Sequence, residues 1–166
     1  MNDEKSLAIE DLRFADLIPI LALNNLHAEQ TSLLDESSLA HLLGMACYTR
    51  GTDRGATSIL IALDQDAAYD NPNFNWFKAR YERFVYVDRI IVSDSLRGYG
   101  VDRLLYRNLF AWASLAGQTH IVCEVNFRPP NPGSDAFHSA MEFIEVGQAE
   151  IHNGKKSVRY LHKILQ

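Results

Sequence analysis

One arginine and two glycines stand in a short polar segment, Arg97-Gly98-Tyr99-Gly100, between an apolar run and a helix-like stretch. Glycine lets a backbone approach a ligand without a Cβ collision, and arginine supplies a fixed charge for phosphate oxygens. A turn that enters a helix also directs backbone N–H groups toward one point, with the positive end of the helix dipole behind them. The segment therefore predicts a pyrophosphate site, while a strand–helix turn that only requires glycine is an equally open interpretation.

Two common phosphate loops do not match this segment. A Walker loop requires G-x-x-x-x-G-K-[ST], and a dinucleotide fold requires G-x-G-x-x-G near a first strand with an acid about 20 residues later. Neither pattern occurs here. A nucleotide-binding domain is a third interpretation of the segment, although it lacks both patterns. This interpretation would require that ATP or NAD bind in preference to any other pyrophosphate ligand.

Hydrophobic periodicity predicts the elements around the segment. Residues 84–92 are predicted as a long buried strand, and apolar residues recur at helical spacing from Val101 to Ala113, which predicts a helix ending near Gly117. Two earlier helices are predicted, one from about Asp16 and one capped by Asp35. These elements place the polar segment at the start of a helix.

The remaining chain is predicted to be mostly strand. Strands are expected over residues 46–50, 57–63, 120–125, 143–151 and 157–164, with Asn153-Gly154 as a hairpin turn. Ser134 is expected to cap a short helix through Met141, and residues 64–83 have no clear period. Because hairpins and strand–helix–strand units both occur, we expect an α/β or α+β fold with a mixed sheet.

Size and composition exclude several classes of protein. The chain has 166 residues, which fits a single domain over 1–166, and a net charge of -5, which gives no basic field for nucleic acid or an anionic membrane. The six histidines lack metal-ligand spacing, so no metal site is expected. The two cysteines lie in apolar surroundings, and the charged N-terminus does not resemble a secretory signal. We expect a cytoplasmic protein with free thiols.

The polar segment resembles motif A of the GNAT N-acetyltransferases, R/Q-x-x-G-x-G/A, in which this turn holds the pyrophosphate of acetyl-CoA. The match runs from Arg97 to Asp102, and Asp102 departs from the small residue of the last position. The resemblance continues in the family's N-x-x-A-x-x-L-Y pattern, which begins here at Asn131 and has His138 in place of the tyrosine. Glu142 then stands at the glycine of the family's Gly-Phe pair.

This resemblance covers nearly all of the chain and implies a fold and an activity. The implied fold is the GNAT fold, a mixed central sheet with splayed fourth and fifth strands, flanked by helices. The implied activity is direct transfer of an acetyl group from acetyl-CoA to a primary amine. The alternative is a regulatory module that binds CoA or acyl-CoA without catalysis, which Asp102 and His138 motivate because both depart from the family pattern.

The resemblance also implies which residues hold acetyl-CoA. Backbone groups at the end of the fourth strand would bind the pantetheine arm and the thioester carbonyl, and the turn would bind the pyrophosphate. The implied residues are Ile90, Ile91, Val92, Arg97, Gly98, Tyr99, Gly100, Val101, Asp102, Arg103, Asn131 and Ser134.

Two residues are candidates for proton transfer. His138 occupies the position of a tyrosine that lies near the CoA sulfur in the family, so it is a candidate acid, with packing as the alternative. Glu124 and Asp88 are acids in otherwise apolar strands, where a raised pKa is plausible. We expect Asp88 to form an ion pair with Arg89 or another cation, which leaves Glu124 as the candidate base unless a water relay serves instead.

The family admits the amine from the side of the first two helices and the neighbouring loops. The corresponding residues here are Asn25, Glu29, Phe74, Trp76 and Phe77. Aromatic rings would shape the pocket and Glu29 would attract a cation, although packing over the sheet is at least as favoured for each ring. The expected partner is a small-molecule or peptide amine, and the sequence leaves open a homodimer.

Overall fold

The computed structural model describes residues 7–29 and 31–166, which group into two compact units. The first unit comprises the described residues up to Leu63 together with Asp88–Leu109, and the second comprises Asp64–Val87 and Phe110–Gln166. A single domain over 1–166 stays a prediction. In chain order the helices and strands are β1 (Glu10–Asp11), α1 (Leu17–Leu26), α2 (Glu36–Met45), β2 (Tyr48–Thr52), β3 (Ser58–Asp64), α3 (Pro72–Lys78), β4 (Val85–Val92), α4 (Val101–Leu115), β5 (His120–Arg128), α5 (Pro132–Ala140), β6 (Ile144–Ile151) and β7 (Lys156–Ile164).

The strands form a mixed sheet in the order β1-β2-β3-β4-β5-β7-β6. In the first unit β1 pairs with β2, and β2 with β3, in antiparallel fashion. In the second unit β4 and β5 are parallel, with Val85 opposite Ile121 and Tyr86 opposite Val122, whereas β7 is antiparallel to both β5 and β6. Helices flank the sheet, so the predicted α/β class and mixed sheet are confirmed. The splaying of β4 and β5 beyond these pairs stays a prediction.

Local sequence explains the elements of the first unit. The Asp35 carboxylate accepts a hydrogen bond from the Ser38 backbone N–H at 2.7 Å, which confirms the predicted cap of α2. Residues 59–63 of β3 have no exposed surface, as expected for an apolar run that is covered on both faces. The two-residue strand β1 was not predicted, because its residues carry no apolar alternation.

The second unit contains a helix where the sequence indicated irregular structure. Asn71 caps α3 by accepting hydrogen bonds from Asn73 N–H at 2.9 Å and Phe74 N–H at 3.1 Å, and Pro72 follows at the first helical position. Proline suits that position because its missing N–H would have no helical partner there. The Asn-Pro pair was therefore the sequence signal for this helix.

An Asn-Pro pair also begins α5, and the predicted start of this helix is therefore wrong. Asn131, rather than Ser134, is the N-cap, and its side chain accepts a hydrogen bond from the Ser134 N–H at 3.3 Å. Pro132 again occupies the first turn. No helix in the described part of the chain is long and apolar enough to cross a membrane.

Candidate functional site

The polar segment forms the turn between β4 and α4 in the first unit. Ser93, directly after β4, donates its N–H to the Thr57 carbonyl at 2.8 Å, and a 3-10 turn over Asp94–Leu96 follows. Gly98 has φ +82° and Gly100 has φ +71°, a region that residues with a Cβ rarely adopt. A Cβ at either glycine would meet no atom within 4 Å. The backbone angles alone fit a simple turn, whereas the space around both glycines leaves room for a ligand.

Helix α4 begins directly behind this turn. Val101 is only 2% exposed and anchors the first residue of the helix in the core. The first intrahelical hydrogen bond runs from Leu104 N–H to Gly100 O at 3.0 Å, so the N–H groups of the preceding residues point out of the helix end. The Asp102 carboxylate accepts one of them, the N–H of Arg103, at 2.8 Å. The turn can therefore donate backbone hydrogen bonds to an anion, in competition with Asp102 for one donor.

Arg97 lies at the entrance of the turn. Its guanidinium pairs with the Asp94 carboxylate at 2.9 Å, and the two side chains are 67% and 76% exposed. An ion pair this exposed contributes little to stability, so Arg97 can exchange Asp94 for a phosphate at small cost. Tyr99 is also exposed, and Ile90 and Val92 are half-buried on either side of the buried Ile91. Contacts of these residues with acetyl-CoA stay predictions.

Asp88 forms the ion pair that the sequence analysis expected. Its carboxylate accepts a hydrogen bond from Arg89 Nε at 2.8 Å, and both side chains are buried. The same guanidinium donates through Nη1 to the Asn24 side-chain oxygen at 2.7 Å. The buried pair assigns Asp88 a structural role and leaves Glu124 as the candidate base.

Asn25 and Glu29 differ in their surroundings. The Asn25 amide donates to the Leu34 carbonyl at 3.0 Å and accepts from the Leu34 N–H at 3.1 Å, so it ties the chain after α1 to the segment before α2. Glu29 is exposed. The observed role of Asn25 is therefore structural, and contact of either residue with an acceptor stays a prediction.

The three predicted acceptor-site aromatics are also not equivalent. Phe74 and Phe77 have no exposed surface, which favours the packing role over a place in the wall of an open pocket. Trp76 is half-buried and stacks on Tyr160 with ring centroids 4.3 Å apart, while the Arg80 guanidinium lies 4.0 Å from the Trp76 ring centroid. Trp76 is the one of the three that has surface available for a ligand.

Glu124 lies on β5 within a network of side chains in the second unit. Tyr86 donates its hydroxyl to the two carboxylate oxygens at 2.8 and 3.0 Å, and Asn73 Nδ2 donates to Oε1 at 3.1 Å. The Asn73 oxygen in turn accepts the Tyr160 hydroxyl at 2.9 Å. The sequence carries no signal for Asn73, Tyr86 or Tyr160, because the partners of this network are far apart in the chain.

His138 is only 5% exposed on α5. Its Nδ1 lies 2.8 Å from the Ser134 carbonyl oxygen, which can only accept a hydrogen bond, so Nδ1 carries a proton. Nε2 is then the nitrogen that takes up or gives up the second proton. The ring meets Phe137 and Phe143 edge to face, at centroid distances of 5.3 and 5.2 Å. This arrangement fixes the imidazole in both orientation and tautomer.

Solved structures share this architecture along their whole length. The acetyltransferase of the GNAT family from Streptococcus pneumoniae matches with a TM-score of 0.69 at 16% identity, over 96% of this chain and 99% of that chain. This chain has the GNAT fold. The ribosomal-protein-alanine N-acetyltransferase from Brucella melitensis matches with a TM-score of 0.71 at 19% identity, over 96% and 100% of the two chains. A chain of the NatC complex bound to Gag peptide and CoA matches with a TM-score of 0.71 at 13% identity, over 96% and 98%.

No family model matches the sequence, and no curated protein matches it significantly. Within the GNAT fold, one further position agrees with the register of the resemblance. Glu142, which stands at a glycine of the family pattern, has φ +67°, in the region that favours glycine. The backbone therefore keeps a glycine-like conformation there, although the residue differs.

Proposed function

We propose that this chain is an acetyl-CoA-dependent N-acetyltransferase that transfers the acetyl group directly to a primary amine. The observation that carries the proposal is the turn between β4 and α4 of a GNAT fold, where two glycines with positive φ and Arg97 precede the start of a helix. Such a turn supplies backbone N–H groups and a positive dipole end to a pyrophosphate.

Residues of the turn and of the strand before it would bind the cosubstrate. Arg97 and the backbone of residues 98–103 would bind the pyrophosphate, and the backbone of residues 90–92 would bind the pantetheine arm. Bound acetyl-CoA supplies an acetyl thioester that an amine can attack. The N–H groups at the start of α4 suit pyrophosphate binding, because an anion stabilises the exposed N-terminal end of a helix.

Two side chains would move the protons of the reaction. Glu124 would take the proton that the attacking amine must lose. His138, protonated at both ring nitrogens, would give its Nε2 proton to the departing sulfur. The C–N bond forms, the thioester C–S bond breaks, and one proton passes at each residue, so the transfer is balanced. A positioned acid or base contributes roughly 10²–10⁴-fold to such a step.

We infer that the acceptor is an amine of a small molecule or of a peptide. Both classes carry an ammonium group, which the exposed carboxylate of Glu29 in the first unit would attract. In the second unit, the half-buried Trp76 has surface that could contact the rest of an acceptor. A structural relative was solved with a Gag peptide and CoA, which supports a peptide as one of the two classes.

A second function is favoured by one contact. The Asp102 carboxylate already accepts the Arg103 N–H in the first turn of α4, at the helix end where a phosphate would bind. A chain that binds CoA or acyl-CoA but has no transferase activity would serve as a CoA-sensing module. Turnover distinguishes this candidate from the enzyme.

The test is a screen of the purified protein with acetyl-CoA and a panel of amines, amino acids, polyamines and peptides. Free CoA thiol and acetylated amine are both measured, because thiol release alone also reports hydrolysis. We expect thiol release that depends on an amine and one acetylated product. Tight binding of acetyl-CoA with no acetylated product on any amine would support the sensing module instead.

A further inference from the structure

We propose that Asn73 is a positioning residue that fixes the Glu124 carboxylate and lowers its proton affinity, and that Tyr160 holds Asn73 in place. This inference rests on the proposed function, in which Glu124 is the base. It assigns a role to helix α3, which lies in a part of the chain that has no clear periodicity in the sequence. The three residues come from α3, β5 and β7 of the second unit.

The chemistry of the groups defines the direction of every hydrogen bond in this network. An ionised carboxylate only accepts, so the Asn73 NH₂ faces Glu124 and the Asn73 oxygen faces the Tyr160 hydroxyl. Tyr160 must then donate its proton to Asn73. Rotating the amide by 180° would bring its oxygen against the carboxylate, which is repulsive. Asn73 is therefore held in one orientation, and it is only 6% exposed.

Tyr160 is suited to hold that orientation. Its ring lies between the stacked Trp76 and the edge-on Phe77, at centroid distances of 4.3 and 5.2 Å. Burial raises the pKa of the Tyr160 hydroxyl, and the negative charge of Glu124 raises it further. The hydroxyl thus keeps its proton at neutral pH and stays a donor to Asn73.

The donors converge on one carboxylate. Tyr86 and Asn73 both donate to Glu124, and donors to a charged carboxylate favour its ionised form. The network keeps Glu124 ready to accept a proton from an amine and holds its oxygens in a defined direction. Loss of Asn73 should therefore raise the pKa of Glu124, and loss of Tyr160 should raise it less, because the amide would remain but would be free to turn.

The test measures the pKa of Glu124 by NMR on protein labelled with ¹³Cδ-glutamate, which needs no acceptor. The Glu124 resonance is assigned by its absence in Glu124→Gln. We expect Asn73→Leu to raise the apparent pKa by about one unit, the size expected for loss of one hydrogen bond to a charged group. Tyr160→Phe should raise it by a smaller amount.

Tyr48→Phe is the matched control. Tyr48 is another buried tyrosine that donates to an asparagine, Asn108, at 2.7 Å in the first unit, and its loss should leave the Glu124 pKa unchanged. An unchanged Glu124 pKa in Tyr160→Phe and Asn73→Leu would overturn the inference. If Asn73→Leu does not fold, Tyr160→Phe decides the question alone.

Activity separates this inference from the proposed function. With any acceptor that the screen identifies, the acidic limb of the kcat/KM–pH profile should move to higher pH in Asn73→Leu, by the shift seen in the NMR titration. A uniform loss of activity at all pH values with no shift would indicate a merely structural role and overturn the inference. A wild-type protein that acetylates no amine would instead overturn the proposed function, and the NMR result would stand independently.

Discussion

The carboxylate of Asp102 accepts a hydrogen bond from the backbone N–H of Arg103 at 2.8 Å, in the first turn of α4. An acid at this end of a helix is stabilising, because the helix dipole is positive there. The same carboxylate also competes with any phosphate for that donor and repels its charge. Asp102 thus favours the free protein over the protein with a bound anion.

The first prediction follows from this contact. Asp102→Asn removes the charge but keeps an oxygen that can accept the Arg103 N–H, and Asp102→Ala also frees the N–H. We expect both variants to bind acetyl-CoA more tightly, by roughly two- to fivefold, since charges near a helix end contribute about 0.3–1 kcal/mol. Calorimetric titration measures the effect, and weaker binding in both folded variants would show that Asp102 does not oppose the ligand.

Much of the architecture could be predicted from local sequence. The helix after the turn follows from its apolar stripe, and the cap of α2 follows from Asp35, because both depend on neighbours within a few residues. Likewise the positive φ of Gly98 and Gly100 agrees with glycines placed in a tight turn. Each of these features is encoded within one segment.

The parts that could not be predicted depend on contacts between distant segments. Asn73 and Glu124 are separated by 51 residues, and no period or spacing links them. The burial of Phe74 and Phe77 could not be distinguished in advance from a place in a pocket, since the same rings suit both. The caps at Asn71 and Asn131 differ for another reason, because an Asn-Pro pair is typical both of loops and of helix starts.

The second prediction concerns His138. If it supplies the proton to the sulfur, His138→Phe should lower kcat by roughly 10²–10⁴-fold while acetyl-CoA affinity changes little. Phenylalanine is the better test than alanine, because it keeps the edge-to-face contacts with Phe137 and Phe143. Steady-state kinetics and a separate binding titration measure the two quantities.

His138→Tyr completes that test, because it restores the residue of the family pattern and supplies a hydroxyl. Recovery of kcat with tyrosine but not with phenylalanine would support proton donation. Equal kcat for wild type, phenylalanine and alanine at saturating acetyl-CoA would remove His138 from the mechanism.

The third prediction tests the packing around Trp76. Gly147 lies opposite Tyr160 on β6, and a Cβ at Gly147 would overlap the Trp76 ring. Gly147→Ala must displace Trp76 from its stack on Tyr160, and overpacking of this kind costs about 1–3 kcal/mol of unfolding free energy. Urea unfolding measures the loss.

Gly133→Ala is the control for this prediction, since a Cβ there meets no atom within 4 Å and the residue lies in α5. Its unfolding free energy should stay the same or rise by up to about 1 kcal/mol, because alanine is the better helix former. A Gly147→Ala protein as stable as the Gly133→Ala control would show that Trp76 is free to move.

The central claim is that the turn between β4 and α4 binds the pyrophosphate of acetyl-CoA, and calorimetric titration of acetyl-CoA into three proteins tests it most directly. Gly100→Ala and Gly100→Asp both put a side chain on a residue with φ +71°, but only aspartate adds a negative charge. We expect wild type to bind acetyl-CoA in preference to ATP or NAD, and Gly100→Asp to bind at least about tenfold more weakly than Gly100→Ala, since the added charge lies at the helix end. Equal affinity of the two folded variants, or displacement of acetyl-CoA by ATP or NAD, would contradict the claim.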